Sequence, residues 1–297
     1  MYAKQLGELS ETRSWAYILI LPSIVLIFIV IIYPVFHGVS LSFQEMQLTK
    51  PHKSGFVGLK NYYKLFTDEV FLISLKNTGI WVTVVTILEF SLGLLSAVLL
   101  NRAGLFVKVA GVLILLPWIL PSVVAANIWA LMLDSRLGVL NDMLYQMGLI
   151  REYVAWFAEK ETALISTMLI EVWKGFPFFS LLLLAGLQSI DDELYEAGRV
   201  DGASDMAMFW YITLPMLKPV IVATIVLRVI SLVNSPDLIL ILTNGGPGYS
   251  THVLSLYAFL KAYSEFNFGY SGTISVFMFL ILIFFTILYV RMSRLNS

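Results

Sequence analysis

The sequence has no cysteine among its 297 residues. This absence excludes disulfide frameworks, thiolate metal sites and cysteine nucleophiles. No glycine-rich run ends in Gly-Lys-Ser or Gly-Lys-Thr, so the chain does not encode a phosphate-cradling loop for ATP. Histidine is scarce as well: His37, His52 and His252 stand singly, without a second ligand three or four residues away. The sequence therefore predicts no metal site, and any ATP would have to be bound by another protein.

Charged residues are also few. They make up 13% of the chain, and hydrophobic residues make up 59%, whereas soluble domains contain about 25% charged and about 45–50% apolar residues. This composition predicts an integral membrane protein. With a formal net charge of −1, the chain lacks the basic excess that nucleic acid attracts, so no nucleic-acid partner is expected.

Six apolar runs are each long enough to cross a bilayer, for which about 20 apolar residues are needed. They predict an all-α membrane protein with a single transmembrane domain over residues 1–297. The third run contains Pro117 and Pro121, each of which removes a backbone donor and should bend the helix. The first run is too long for the apolar part of a signal peptide and is expected to be retained. The predicted spans are residues 15–36, 77–100, 109–133, 163–187, 220–243 and 270–290.

The polar segment 188–219 interrupts these runs and begins with helix-capping signals. Ser189 followed by Asp192 resembles a capping box, in which side chains satisfy the free amides of a starting helix. The pattern predicts a short helix from Asp191 to about Gly198.

A second short helix is predicted after the turn signal Asp201-Gly202. Ser204 can cap it, and it should run through about Tyr211 before the prolines at 215 and 219 stop it. The elbow between the two helices has little side-chain bulk, so another protein could approach its backbone closely. An acidic solvated loop is the alternative reading. The small residues are Ala197, Gly198, Gly202 and Ala203, and the carboxylates available to a basic partner are Glu193, Glu196 and Asp201.

Charged and amide side chains lie inside the predicted spans. An ionisable group in hydrocarbon costs about 2.5–3.5 kcal/mol on insertion scales, so it should face the protein interior or a water path. Glu89 and Arg228 are interpreted as a structural set. Glu171 and Lys174, three residues apart, could instead neutralise each other. The candidates for bordering a substrate path are Lys174, Asn234, Asp237, Asn127, Trp173 and Glu171.

The segment also carries a family resemblance. Its residues Glu196 to Gly198, Asp201 to Ala203 and Ile212 to Pro215 look like the EAA motif of ABC importer permeases, and specifically of the carbohydrate-uptake family of maltose and glycerol-3-phosphate type. Other matches cover nearly everything after Trp15. These are FVGLKNYYKLF at 56–66, Asn77-Thr78, Gly138 with Asn141, LAGLQ at 184–188 and LTNGGP at 242–247.

The resemblance implies a type I ABC importer fold with a cytoplasmic helix-turn-helix coupling segment. It implies four further subunits: a second, homologous permease, two ATP-binding cassette subunits that hold ATP and Mg, and a periplasmic or lipid-anchored solute-binding protein. It also places the chain in the bacterial cytoplasmic membrane with both termini inside, a judgement that the distribution of lysine and arginine does not decide. The implied ATPase-coupling residues are Glu193, Glu196, Ala197, Gly198, Asp201, Gly202, Ala203, Leu214 and Pro215.

The resulting expectation is the permease subunit of an ATP-driven sugar importer, without catalytic residues or cofactors of its own. One alternative is an ion-coupled secondary carrier, which would usually show inverted repeats that are not evident here. Another is an intramembrane enzyme, for which no nucleophile and base face each other in the spans.

Overall fold

The computed structural model describes residues 17, 19–50, 52, 54–102 and 104–295. These residues are mostly helical, and the strands among them are two residues long. The predicted all-α class is therefore confirmed. The predicted start of the first span at Trp15 lies outside the described residues. The chain divides into two compact units, which are described separately.

The first unit contains the described residues up to Leu65 together with Lys261–Val276. Helix α1 (Leu19–Ser42) includes a π turn at Phe28–Ile32 and exposes most of its apolar side chains. The strands β1 (Gln44–Glu45) and β2 (Gly55–Phe56) pair antiparallel, and α2 (Lys60–Thr67) follows them. Three polar contacts hold the end of α1. The Asn61 Nδ2 donates to Ser42 O at 3.1 Å and to Gln44 O at 2.9 Å, and Thr273 Oγ1 donates to Ser42 O at 3.1 Å.

The second unit runs from Phe66 to Leu260 and resumes at Phe277. Its centre is the pair of long helices α3 (Glu69–Leu100) and α7 (Lys160–Gln188). Helix α3 begins eight residues before the predicted span because the Asp68 carboxylate caps it, accepting from Val70 N at 3.0 Å. The two helices approach closely at Gly93, since a Cβ there would meet Phe179.

The predicted third span is bent, as its prolines indicated. Helices α4 (Leu105–Ile119) and α5 (Ser122–Met132) meet at 96°. Pro121 lies at the break, where Leu120 is extended with ψ of 133°, as is usual before a proline. Pro117 lies inside α4 instead.

A short helix, α6 (Val139–Gln146), belongs to the connection between α5 and α7. Asn141 is fully buried there and makes four hydrogen bonds. Its Nδ2 donates to Asp134 O and Val154 O at 3.0 Å, and its Oδ1 accepts from Val154 N at 3.2 Å and Trp156 Nε1 at 2.9 Å. At the same turn, the backbone amides of Leu137 and Arg136 hold the pKa of the Asp134 carboxyl below its usual value. One buried amide therefore organises the whole connection.

The remaining helices are α8 (Asp192–Val200), α9 (Asp205–Met208), α10 (Leu214–Asn234), α11 (Asp237–Leu242), α12 (Leu254–Tyr263) and α13 (Phe268–Leu295). Among the described residues, five helical stretches are long and apolar enough to cross a membrane, and the bent α4–α5 pair can provide a sixth. The five are Leu19–Ser42, Glu69–Leu100, Lys160–Gln188, Asp205–Leu242 and Phe268–Ser293.

The prediction that prolines stop the second short helix of the polar segment is wrong. Helix α9 passes through a π turn at Phe209–Thr213 directly into α10, so the helical path continues past Pro215 and Pro219. The π turn, in which Leu214 N bonds to Phe209 O, immediately precedes Pro215 in the first turn of α10, and Pro219 lies inside α10. Membrane helices tolerate prolines where neighbouring groups satisfy the freed backbone carbonyls.

Candidate functional site

The segment 188–219 forms two helices joined by a tight turn, with caps that differ in part from the prediction. Asp191, and not a Ser189–Asp192 box, caps α8, because its Oδ1 accepts from Glu193 N at 3.1 Å. The Ser189 hydroxyl donates to Gly186 O at the end of α7 instead. The predicted cap of the second helix is present, since Ala207 N donates to Ser204 Oγ at 3.3 Å.

The turn itself depends on Gly202, which has φ of +79°, a conformation that side-chain-bearing residues rarely adopt. Ala203 N then closes the turn by donating to Gly198 O at 2.9 Å. Space around Gly202 is open, whereas a Cβ on Gly198 would come within 3.2 Å of Ile212 Cδ1. The two glycines therefore differ: Gly202 provides backbone geometry, and Gly198 provides close packing of α8 on the π turn.

A side-chain hydrogen bond that the sequence analysis missed fixes α8 to the π turn. Tyr195 OH and Thr213 Oγ1 are 3.0 Å apart, and Thr213 Oγ1 also donates to Met208 O at 3.4 Å. Thr213 is buried. The contact could have been suspected from sequence only by knowing that the helix continues through residue 213.

The outer side of this segment presents acidic and large apolar side chains together, and we call it the elbow surface. It comprises the exposed side chains of Glu193, Leu194, Glu196, Val200, Asp201, Met206, Trp210 and Tyr211. Val200 is 87% and Tyr211 83% exposed, which is unusual for such residues in water. Ala197 and Pro215 are also exposed, while Ala203 and Leu214 are half-buried.

The intramembrane charges form a network of three side chains, which we call the charge network. Arg228 on α10 donates through Nε to Glu89 Oε2 at 2.6 Å and through Nη2 to Glu89 Oε1 at 2.5 Å. Its Nη2 also donates to Glu171 Oε1 at 2.6 Å. Glu89 is fully buried on α3. One guanidinium thus joins α3, α7 and α10.

Glycine at position 175 makes this network possible. A Cβ at Gly175 would overlap Glu89 Oε1 and Arg228 Nη2. The expected pairing of Glu171 with Lys174 is wrong, because Glu171 bonds to Arg228 across the helix interface. Glu89 and Arg228, interpreted from the sequence as a structural set, are bonded directly.

The remaining path candidates are spread over several helices. Lys174 is half-buried, and the structure assigns its ammonium no hydrogen bond or ion pair among the described residues. The rings of Trp173 and Trp129 meet edge to face at 5.3 Å. Asn127 and Asn234 are exposed, and their amides donate to carbonyls of their own helices.

Asp237 lies beyond a break in the helix that carries Arg228. The chain is extended at Ser235, and α11 starts at Asp237, whose Oδ2 accepts from Ser235 Oγ at 3.2 Å. Helix α11 packs against α5, which carries Asn127.

Two sequence motifs far apart in the chain meet in the structure. Asn77 Nδ2 donates to Tyr249 O at 3.2 Å and to Ser250 O at 3.1 Å, just after the LTNGGP run. Thr78 Oγ1 accepts from Leu254 N at 2.9 Å. The Asn77-Thr78 pair therefore anchors the loop that follows α11.

Comparison with known proteins gives consistent relatives. Residues 89–296 match the family described as binding-protein-dependent transport system inner membrane component. The trehalose/maltose transport system permease protein of Thermococcus litoralis is 37% identical over 278 residues, covering 94% of this chain and 93% of that protein. The sulfoquinovosyl glycerol transport system permease protein of Agrobacterium fabrum is 35% identical, covering 95% of this chain and 91% of that protein.

A solved structure is similar along its whole length. A chain in the crystal structure of a bacterial ABC transporter that imports the acidic polysaccharide alginate has a TM-score of 0.84 and 25% sequence identity, with 98% of each chain covered. A chain of the alginate transporter in complex with an alginate-bound periplasmic protein has a TM-score of 0.82 and 26% identity, with 95% of each chain covered.

These relatives are transport subunits, so the chain is not an enzyme, and ATP is hydrolysed by a partner. The type I importer fold and the multi-pass membrane nature are confirmed. The chain belongs to the binding-protein-dependent permeases of ABC importers, and among them to the carbohydrate-uptake family.

Proposed function

We propose that this chain is one of two non-identical permease subunits of a bacterial importer for a sugar or sugar derivative, and that it forms half of the translocation path. The names of its relatives support a sugar: one belongs to a trehalose/maltose transport system, and another to a sulfoquinovosyl glycerol transport system. An ion-coupled secondary carrier is not favoured, because the relatives work in ABC transporters.

The elbow surface is the proposed contact with the ATPase. The observation that carries this proposal is the combination of exposed Val200 and Tyr211 with the carboxylates of Glu193 and Glu196, on a segment that continues directly into α10. Large apolar side chains exposed beside polar ones are typical of protein interfaces. Closure of two ATPase subunits would move the elbow surface and, through α10, the charge network.

The orientation follows from this contact. The elbow surface and both termini face the cytoplasm, and the chain lies in the bacterial cytoplasmic membrane. A solute-binding protein delivers the substrate from outside, as the complex of the similar alginate transporter with its periplasmic protein supports. ATP and Mg are held by the ATPase, and this chain binds no cofactor.

The proposed substrate path follows the side chains bordering the charge network. Lys174 is the first candidate, because its ammonium is half-buried next to three charged groups that already satisfy one another. The aromatic pair Trp173 and Trp129 offers a surface on which a sugar ring could stack. Glu171, Asn127, Asn234 and Asp237 supply hydrogen-bond partners for hydroxyl groups.

The test of the coupling role is Gly202→Trp, which adds bulk to the elbow and strain at a φ of +79°. Gly148→Trp is the matched control, because Gly148 has φ of +71° and equally open surroundings in the connection after α6. We expect Gly202→Trp to lose the ATPase during copurification or to hydrolyse ATP without uptake, while Gly148→Trp keeps both. Normal ATPase binding and uptake in Gly202→Trp would reduce the segment to an acidic solvated loop.

A further inference from the structure

A groove opens between the end of α3, the start of α4 and the end of α7. Its cavity volume is about 610 Å³. Leu100 and Arg102 border it at one end with Gln188, and Leu115 and Leu184 line it further in. Gly111 keeps it open, since a Cβ there would have only the Leu100 side chain as a neighbour, at 3.8 Å.

The groove has the depth of one bilayer leaflet. From Gln188 back to Ser180, α7 rises about 12 Å, and from its first residue Leu105 to Leu115, α4 rises about 15 Å. Half of a hydrocarbon core of about 30 Å is about 15 Å. Both helices belong to candidate membrane spans. The groove therefore extends from the headgroup level to near the middle of the bilayer.

The polar groups of the groove are concentrated at its shallow end. Arg102 is exposed there, and the described residues provide it with no hydrogen bond or ion pair. The Gln188 amide lies at the same end, and none of the described residues that line the groove carries a carboxylate. Deeper in, the lining is aliphatic apart from the hydroxyl of Ser180. An unneutralised cation above an apolar channel matches a ligand with an anionic head and a hydrocarbon tail.

We propose that this groove binds an anionic phospholipid, with an acyl chain along α4 and α7 and the phosphate-bearing headgroup on Arg102. Basic sites between transmembrane helices at the cytoplasmic side bind anionic headgroups in membrane proteins, and Gln188 is the first residue of the segment that we place in the cytoplasm. A second permease is the competing occupant. The match in depth and the Arg102 guanidinium at headgroup level favour the lipid.

The test is native mass spectrometry of the complete importer released from nanodiscs that contain equal amounts of phosphatidylglycerol and phosphatidylethanolamine. We expect the wild type to retain phosphatidylglycerol preferentially. Arg102→Gln should lower that preference about fivefold, as expected for about 1 kcal/mol per basic residue at an anionic surface.

A second variant, Gly111→Leu, should fill the groove and lower the retention of both lipids. Arg291→Gln is the matched control, because Arg291 is an exposed cation on α13 that does not line the groove.

Two results would overturn the proposal. An unchanged headgroup preference in Arg102→Gln would remove the role of the cation. Loss of the second permease from Gly111→Leu would identify the groove as a subunit interface. Neither result depends on whether the elbow surface binds an ATPase, because the Gly202→Trp experiment measures that contact separately.

Discussion

At the scale of single residues, Arg228 is held by three hydrogen bonds to carboxylates. It satisfies two carboxylates on two other helices, and Gly175 provides the space in which they meet. Removing one partner of a buried ion pair costs about 3–5 kcal/mol, because the other charge stays buried without compensation. Arg228 therefore differs from Lys174, which lies one turn beyond Glu171 without a bonded carboxylate.

Arg228→Met and Lys174→Met form a matched pair of substitutions that each remove one intramembrane cation. We expect Arg228→Met to leave Glu89 and Glu171 unpaired and to abolish assembly of the importer. Lys174→Met should assemble and keep ATP hydrolysis stimulated by the solute-binding protein, but lose uptake in proteoliposomes. If Lys174→Met also failed to assemble, Lys174 would be a structural residue and its place on the path would be wrong.

The intramembrane charges were identifiable from the sequence because ionisable side chains are rare in apolar runs, and Glu89 and Arg228 were interpreted as a structural set. The partner of Glu171 was not identifiable. Spacing along one helix favours Lys174, whereas the observed bond to Arg228 depends on how α7 faces α10. Gly175 was missed for the same reason, since its role exists only once three helices are packed.

At the scale of elements, the hydrogen bond between Tyr195 and Thr213 is what makes α8 and the π turn one body. Tyr195→Phe removes it and should cost about 1 kcal/mol, the net value of a typical hydrogen bond. The melting temperature of the purified permease should fall by about 2–4 °C. Thr213→Val added to Tyr195→Phe should lower it by less than the two single changes together, because residues that share a bond are not additive. Any further fall measures the bond from Thr213 Oγ1 to Met208 O.

Tyr145→Phe is the control for this experiment. Tyr145 is exposed on α6, and its hydroxyl has no hydrogen bond in the described part of the chain. Equal destabilisation by Tyr145→Phe and Tyr195→Phe would mean that the bond to Thr213 contributes no stability.

The sequence predicted the turn at Gly202 and the cap at Ser204 from local chemistry. It did not predict the π turn, in which Ile212 lies close to Gly198 of α8.

At the scale of the whole molecule, the absence of cysteine allows the orientation to be measured without background labelling. Ser135→Cys lies in the connection before α6, and Met206→Cys lies on the elbow surface. Both positions are exposed. We expect an impermeant maleimide added to intact cells or spheroplasts to label Ser135→Cys, and to label Met206→Cys only after the membrane is opened. Labelling of Met206→Cys from outside would reverse the orientation and remove the coupling role.

The membrane class could be read from composition, because long apolar runs are a property of the chain itself, and the type I fold was implied by the resemblance of its motifs to a known family. The first and last residues of the helices were harder to predict from the sequence. Helix α3 starts at Glu69 because the cap at Asp68 extends it, and the third span divides at Pro121 while Pro117 stays helical. In both cases the composition of the apolar run predicted that a span exists, but not the residues at which its helices begin and end.

The uninterrupted passage from α9 through the π turn into α10 also fixes an angular relation. No residue between Ser204 and Asn234 leaves the helical path. The direction in which Arg228 points around the helix axis is therefore set by the number of residues that separate it from the elbow surface. Each residue of an α-helix turns the chain by about 100°. A single deletion between Leu214 and Arg228 would therefore rotate the guanidinium away from both of its carboxylates while leaving every other helix intact. The length of this stretch is thus as specific a part of the protein as the arginine that it positions.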